Sequence, residues 1–293
     1  MATGKTTTDA LADSMPTIIS GARIVREHEG VMQQLVERQT LGEGIGDTWN
    51  EVSFAQLTAQ AITETTELDN PQQLSDTLLA ITPTVVGIHT LITDKVAARI
   101  SKNAYSMIRQ GKLAQSAVER LKDEDGLTAL DGATTAVGTS TVTVTSGLIA
   151  AARYRISSNA TEPGRPPYRC VLHGYHLKDI YDELVAGVGT YAVGEGPTAR
   201  VFSEGFKLPV AGVEVYEDGN IAVDSNNDAK GGVFAKEALL LVQGRSPRME
   251  VKREPHIGGG ATSMYHYDEY AYGERSAGNW LYGLIGDATA PTS

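Results

Sequence analysis

Residues 41–78 contain too few apolar side chains to build a hydrophobic core of their own. The stretch opens on glycines at alternate positions and continues through a background rich in Thr, Gln and Glu. Its large apolar side chains include Trp49, Val52, Phe54 and Leu57. A two-stranded excursion of this length is not stable alone, so it needs the surface of a neighbouring molecule. The sequence therefore predicts a chain that uses a long extended loop to associate with other molecules.

Helical signals flank this excursion on both sides. The first begins near Pro16, which suits a first helical turn, and carries one apolar stripe that ends before Gly42. The second, over residues 93–130, is the longest helical repeat of apolar side chains in the chain. We expect it to form a spine helix with a bend at Gly111 and fraying from Gly126.

The second half of the chain alternates between strand and helix signals. Strands are predicted at residues 141–145, 168–173, 210–216, 232–243 and 264–272, and helices at 147–155 and 176–185. Residues 78–92 predict a further strand that leads into the spine helix. The run 238–242 is apolar throughout, which is typical of a strand buried on both faces.

Charge and composition exclude several classes of function. The formal net charge is −11 and the isoelectric point is near 5.0, whereas a protein that grips phosphates needs a basic face. No apolar run reaches the roughly 18 to 20 residues that span a bilayer, and no N-terminal signal segment is evident, so we expect neither export nor embedding. Cys170 is the sole cysteine, so an intrachain disulfide is impossible, which fits a reducing cytosol.

Cys170, His173 and His176 are the residues that most resemble a metal-binding set. They lie three residues apart at a predicted strand-to-helix turn and offer thiolate and imidazole ligands. No second ligand cluster lies nearby in sequence, and such residues more often serve packing and capping. We therefore expect no metal and no cofactor, and we keep a metal-binding αβ enzyme as an alternative function.

His266, Asp268 and Glu269 stand among tyrosines near the end of the chain. On a strand, His266 and Asp268 would share one face, and Tyr265 and Tyr267 would share the other. We interpret this segment as an amphipathic strand whose rings pack against a helix or a neighbouring subunit, and not as an acid–base set.

The order of these parts resembles that of a known family. An N-terminal helix, a polar excursion, a spine helix, an αβ subdomain and a return strand follow one another. The segments that carry the likeness are residues 54–68, 169–174, 212–216, the glycine pair Gly231 and Gly232 with the run 233–242, and 248–251. In these features the chain resembles, over residues 16–284, the major capsid proteins of tailed bacteriophages, which have the Hong Kong 97 fold.

The resemblance implies an α+β fold with an N-arm, an extended loop, a peripheral domain built on a long spine helix, and an axial domain. Carried over to this sequence, these parts are an N-terminal arm and helix at 1–40, the extended loop at 41–76, the peripheral domain at 77–135, the axial domain at 136–250, and a return to the peripheral domain with the C-terminus at 251–293.

The same resemblance implies a structural protein without catalysis. It would self-assemble through pentamers and hexamers into an icosahedral shell around phage double-stranded DNA, as part of the virion capsid assembled in the bacterial cytoplasm. Its partners would be other copies of itself, a separate scaffolding protein, a portal and a decoration protein, with DNA as a non-specific neighbour and no membrane. Another virion component, such as a cement or tail protein, is a further alternative.

Trp49, Phe54 and Leu57 are the expected assembly contacts, because exposed apolar side chains in the loop need a partner surface. Some members of the family cross-link their shells through a lysine in the extended loop. This chain has no lysine between Lys5 and Lys95, so that chemistry is excluded in that form. Shell strength would then come from noncovalent overlap of the loop and N-arm with neighbours, or from a decoration protein.

Overall fold

The computed structural model describes residue 28 and residues 30–64, 71–99, 107–188 and 209–292. Within these ranges the helices are α1 (Met32–Leu35), α2 (Asp94–Arg99), α3 (Met107–Asp131), α4 (Ser146–Ser157) and α5 (Gly174–Val188). The strands are β1 (Glu37–Thr40), β2 (Trp49–Phe54), β3 (Asp76–Ile81), β4 (Thr84–Thr93), β5 (Ala136–Thr143), β6 (Tyr168–Leu172), β7 (Val213–Glu217), β8 (Asp228–Ala235), β9 (Leu239–Gln243), β10 (Arg248–Glu254), β11 (Ala261–Glu274) and β12 (Leu281–Asp287). Most of the predicted N-terminal arm and the join between α2 and α3 lie outside the described residues.

Among the described residues, two five-stranded sheets form the body of the protein. The first sheet is centred on β11, which pairs with β4 along one edge and with β9 and β10 along the other. Strand β1 adds to it by pairing in parallel with β9. The second sheet has the order β5-β12-β8-β6-β7. The predicted α+β architecture is confirmed.

A buried cluster on α3 joins the two sheets. Leu127 and Leu130 of this helix pack with Phe234 of the second sheet and with Leu239 and Tyr270 of the first. The helix therefore does not fray from Gly126, because its last turn lies inside this cluster. The helix also continues through Gly111. The spine helix is confirmed from Met107 to Asp131.

The other face of the second sheet is covered by α4 and α5. Ile149 and Ile156 of α4 and Ile180 of α5 pack against Cys170 and Val233. Neighbouring residues along β6 and β8 alternate between this cluster and the one on α3. Strands buried on both faces need continuous apolar runs, which is the pattern that these segments show.

Two elements differ from the prediction. The N-terminal helix does not continue to Gly42: α1 ends at Leu35, Val36 is extended, and β1 follows because the open edge of β9 accepts it as a parallel neighbour. The predicted strand 232–243 is two strands, since a turn closed by the Ala238 amide on the Ala235 carbonyl (2.9 Å) separates β8 from β9. That turn moves the chain from the second sheet to the first.

The two sheets do not divide at residue 250, where the expected axial domain ends. Strand β9 precedes this boundary but belongs to the first sheet, whereas β12 follows it and lies between β5 and β8 in the second sheet. Both sheets are therefore assembled from distant parts of the chain. No continuous range of residues contains all the strands of either sheet, because strands that are hydrogen-bonded neighbours in a sheet need not be neighbours in sequence.

The glycine pair that marked the family resemblance has a packing role. A Cβ on Gly231 would overlap the Val171 carbonyl oxygen of the adjacent strand. We expect Gly231→Ala to lower the free energy of unfolding by about 1–3 kcal/mol, because β8 must shift to relieve the overlap. Urea denaturation of the unassembled subunit measures the change. Gly147→Ala is the control: its nearest neighbour would be Thr145 Oγ1 at 3.6 Å, so no loss is expected. Equal losses for both variants would refute the packing role.

Candidate functional site

The excursion predicted from the sequence is an antiparallel hairpin of β2 and β3. Trp49 pairs with Ile81 at its base, and Phe54 pairs with Asp76 at the far end of the ladder. Beyond the ladder the two arms stay together, since the Ala55 amide donates to the Ser75 carbonyl (2.9 Å). Residues 55–64 and 71–75 are exposed throughout, so this part of the loop does not fold back onto the described body of the subunit.

One side of the hairpin carries three exposed apolar side chains, beside the polar Asn50 and Asp76. Residues paired across a ladder point to the same side, and successive residues along a strand alternate between sides. Val52 is paired with Leu78, and Phe54 lies two residues further along on the same side. These side chains are 48%, 61% and 72% exposed. We call Val52, Phe54 and Leu78 the apolar face of the hairpin.

The opposite side of the hairpin docks onto its own subunit. Ile81 forms a small buried cluster with Leu240 of β9, and Trp49 and Leu79 pack against it. A Cβ on Gly273 of β11 would overlap the Ile81 side chain, so this glycine makes room for the base of the hairpin. The base is therefore packed on the first sheet while the apolar face remains open.

Arg275, just beyond β11, ties the base of the hairpin to the first sheet. Its Nε donates to Glu51 Oε2 on β2 (2.8 Å), and its Nη1 donates to Glu37 Oε2 on β1 (2.5 Å). Partial burial raises the pKa of Glu37, but the hydrogen bonds and charge of Arg275 lower it by more, so the net pKa lies below its ordinary value. The guanidinium thus holds two carboxylates from two strands in one geometry.

Removal of this guanidinium should loosen the hairpin. We expect Arg275→Ala to lower the free energy of unfolding by about 2 kcal/mol at neutral pH, because two charge-assisted hydrogen bonds are lost. A lowered carboxyl pKa stabilises the fold above the ordinary pKa and loses that effect as the pH falls, so the difference between wild type and variant should shrink at acidic pH. Urea denaturation at pH 7 and pH 4 measures both effects.

Arg275→Lys is the matched control, because it keeps the positive charge and loses the two-pronged geometry. An intermediate stability is expected for this variant, with faster hydrogen exchange in β2 and β3. Wild-type stability in Arg275→Ala at pH 7 would contradict the assigned role.

The three residues chosen from the sequence take different places. Phe54 and Leu57 are exposed on the hairpin and its loop, as an assembly contact requires. Trp49 is half-buried against the cluster at the base and is not an exposed side chain as expected, while its role as an assembly contact stays a prediction. Its ring finds a partner within the subunit because the hairpin base lies flat on the first sheet.

Sequence reasoning did not choose Leu78 or Arg275. The spacing of Val52 and Phe54 is the strand period and indicates a shared side. Leu78, however, joins them only once the register of β2 with β3 is known. Arg275 carries no local signal, since Glu37 lies 238 residues away in the chain.

Cys170, His173 and His176 are not assembled into a metal site. The Cys170 thiol lies in the core under α4 and α5, and burial raises its pKa. His176 Nε2 lies 3.2 Å from the Gly286 carbonyl oxygen, and His173 Nδ1 accepts a hydrogen bond from the Tyr175 amide (3.2 Å). Among the residues that the structure describes, no three His, Cys, Asp or Glu side chains are grouped as a metal would need.

Strand β11 shows the two faces that the sequence predicts. Tyr265 stacks on His89 of β4 with ring centroids 4.4 Å apart, and Tyr267 lies next along the same face. On the other face Asp268 is buried and forms a salt bridge of 3.0 Å with Lys122 of α3. This carboxylate therefore stabilises the contact between helix and sheet.

The chain matches known proteins in structure but not in sequence. No protein-family model matches the chain, and no curated protein matches it in sequence. None of the helices in the described ranges is long and apolar enough to cross a membrane. The solved structures, in contrast, include chains that match nearly the whole length.

The chain has the fold of solved phage capsid chains, so the expected Hong Kong 97 type of fold is confirmed. It matches a chain of the cyanophage Pam1 capsid asymmetric unit with a TM-score of 0.75 and 12% identity, over 99% of this chain and 100% of that chain. A chain of Mycobacterium phage Che8 matches with a TM-score of 0.73 and 15% identity, over 94% and 98%. A chain of the acid-stable capsid of Helicobacter pylori bacteriophage KHP30 matches with a TM-score of 0.71 and 12% identity, over 93% and 97%.

Proposed function

We propose that the chain is a structural capsid subunit of a tailed bacteriophage, which self-assembles through pentamers and hexamers into an icosahedral shell around double-stranded DNA. The observation that carries the proposal is an exposed apolar hairpin face on a chain whose fold matches phage capsid chains over nearly its full length. An exposed apolar surface marks a site of contact with another molecule, and we propose that this molecule is another copy of the chain.

The apolar face supplies the contact. Full burial of a side chain such as that of Val52, Phe54 or Leu78 contributes about 1.5–3 kcal/mol, so a few such residues make a sizeable contact. The hairpin of one copy would meet a different surface of the next copy. Such a heterologous contact builds a ring when its rotation closes, so each copy would both give and receive one contact.

The base of the hairpin sets the direction of this contact, and two glycines allow that direction to vary. Gly44 and Gly46 lie between β1 and β2 with φ values of 80° and 111°, which glycine adopts at little cost. A hinge at these residues would let one sequence serve both five-fold and six-fold surroundings. Trp49, Ile81 and Arg275 would limit the range of that motion.

The two sheets would correspond to the two domains of a capsid subunit. The first sheet with α3 would form the peripheral domain, and the second sheet with α4 and α5 the axial domain. Partners would be other copies of the chain, a separate scaffolding protein, a portal and a decoration protein, in a virion capsid assembled in the bacterial cytoplasm. The net charge of −11 supports DNA as a neighbour that is held without being gripped.

Expression of the chain with and without its neighbouring phage genes tests the proposal. Velocity sedimentation and negative-stain electron microscopy would show the products. We expect shells, or free pentamers and hexamers. A small oligomer that forms neither pentamers, hexamers nor shells in either case would overturn it, and tubes, or rings with another number of copies, would favour a tail or cement protein.

A further inference from the structure

Two buried carboxylates meet where the N-terminal segment enters the body of the subunit. Asp123 lies on α3 and Asp218 follows β7, and their residues are 0% and 1% exposed. The Met32 amide donates to Asp123 Oδ1 (3.0 Å), and the Val31 amide donates to Asp218 Oδ2 (3.3 Å). The pair therefore holds the backbone of the N-terminal segment directly.

Asn220 binds the other two oxygens of the pair. Its backbone amide donates to Asp218 Oδ1 (2.9 Å), and its side-chain Nδ2 donates to Asp123 Oδ2 (3.0 Å). Each carboxyl oxygen thus has one N–H donor. The pair joins three parts of the fold that are distant in sequence: the N-terminal segment, the spine helix and the loop after β7.

Two carboxylates that are both buried and both bound by Asn220 cannot carry like charges there without cost. Burial, and after it the hydrogen bond and charge of Asp123, raise the pKa of Asp218 to about 7, against the opposing effect of the Asn220 amide. A proton on Asp218 removes the repulsion and lets the Asp218 hydroxyl donate a hydrogen bond to the Asp123 carboxylate.

Other titratable groups surround the pair. Tyr272 of β11 faces Asp123, and burial together with the Asp123 charge raises the pKa of its phenol, which stays neutral. The His28 ring lies against Gly219, next to Asp218, and leaves no room there for a Cβ. His173 lies near the same groups: burial lowers its pKa, the charge of Glu217 raises it and the charge of His28 lowers it.

We propose that Asp123 and Asp218 form a proton-dependent latch, which holds the chain at Val31 and Met32 tightly while Asp218 carries a proton and loosens as that proton is lost to solvent. The latch couples pH to the attachment of the N-terminal segment. It does not depend on the assembly function proposed above.

The direction of the effect follows from linkage. An acid whose pKa is raised in the closed state binds its proton more tightly there than in the open state, where the carboxyl is solvated. Closure is therefore favoured at low pH and weakens as the pH rises from about 4 to about 7, with no further change above. In this window the opening equilibrium changes by about tenfold per pH unit.

Hydrogen exchange tests the latch in the purified, unassembled full chain. The exchange rate of a peptide covering residues 30–36 would be measured between pH 5 and 8.5 and divided by its intrinsic rate at each pH. We expect protection to fall by about tenfold per pH unit between pH 5 and 7 and to level off above. A peptide from β9, which makes no hydrogen bond to the pair, reports any change in global stability.

Asp218→Asn is the matched variant. Its amide cannot ionise, but it keeps only one acceptor oxygen and so loses one of the two N–H bonds from Val31 and Asn220. Protection should therefore lie below the wild-type value at pH 5 and be independent of pH. Asp123→Asn removes the like charge from the other side and should also flatten the profile. A wild-type profile without the fall, or an unchanged fall in both variants, would overturn the latch.

Discussion

Replacement of Phe54 by aspartate should abolish shell assembly and leave the subunit folded. The Phe54 side chain is largely exposed, so its removal costs the isolated subunit little. In the proposed contact the ring is buried by a neighbouring copy, where it contributes about 1.5–3 kcal/mol, and a carboxylate in its place adds a desolvation penalty of several kcal/mol. Since each copy gives and receives a contact, the loss is repeated around every ring.

Ser53→Asp is the matched control for this prediction. Ser53 is the preceding residue of the same strand and lies on the opposite side of the hairpin, yet it is also exposed. It receives the same new net charge, but its new carboxylate faces Thr77, whereas that of the Phe54 variant faces Asp76, so circular dichroism of both variants must show an intact fold. Circular dichroism checks the fold, and sedimentation with electron microscopy checks assembly. Shells from the Phe54 variant in wild-type yield would rule out the apolar face as the contact.

Lys122→Ala should be the most destabilising of the substitutions considered. The Lys122 and Asp268 side chains are only 7% and 3% exposed, and their salt bridge of 3.0 Å joins α3 to the first sheet. Lys122 Nζ also donates to Gln243 Oε1 (2.5 Å) and lies 4.7 Å from the Tyr270 ring centroid. Truncation leaves the Asp268 carboxylate buried without its cation, which costs about 3–5 kcal/mol.

Urea denaturation of the unassembled subunit measures this loss. Lys230→Ala is the control, because the Lys230–Asp131 salt bridge is half exposed and should contribute at most about 1 kcal/mol. The double variant Lys122→Met, Asp268→Leu should recover much of the stability, since it removes both charges together. Equal losses for Lys122→Ala and Lys230→Ala would show that burial of the pair is unimportant.

The sequence predicted well the elements whose signal is local. The hairpin, the spine helix, the two faces of β11 and the doubly buried β9 follow from spacing and composition, because each pattern reflects one exposed or buried face. The prediction of one strand at 232–243 was wrong, because an apolar run does not reveal that its two halves join different sheets. The predicted end of the N-terminal helix was wrong, because residues 37–40 pair with the edge of β9 and form β1.

For the candidate site, the amino-acid sequence by itself determined that residues 41–78 have too few apolar side chains for a core of their own, from which the exposure of Phe54 and Leu57 follows. Their contact with a partner surface stays a prediction. A polar segment cannot bury its few apolar side chains in a core of its own, and this conclusion needs only the composition of the segment. Only the tertiary structure decided that Trp49 belongs to the base, that Leu78 completes the apolar face, and that Arg275, Lys122 and the Asp123–Asp218 pair join distant segments. These contacts depend on strand register and on which side chains become buried together, and neither has a period that can be read along the chain.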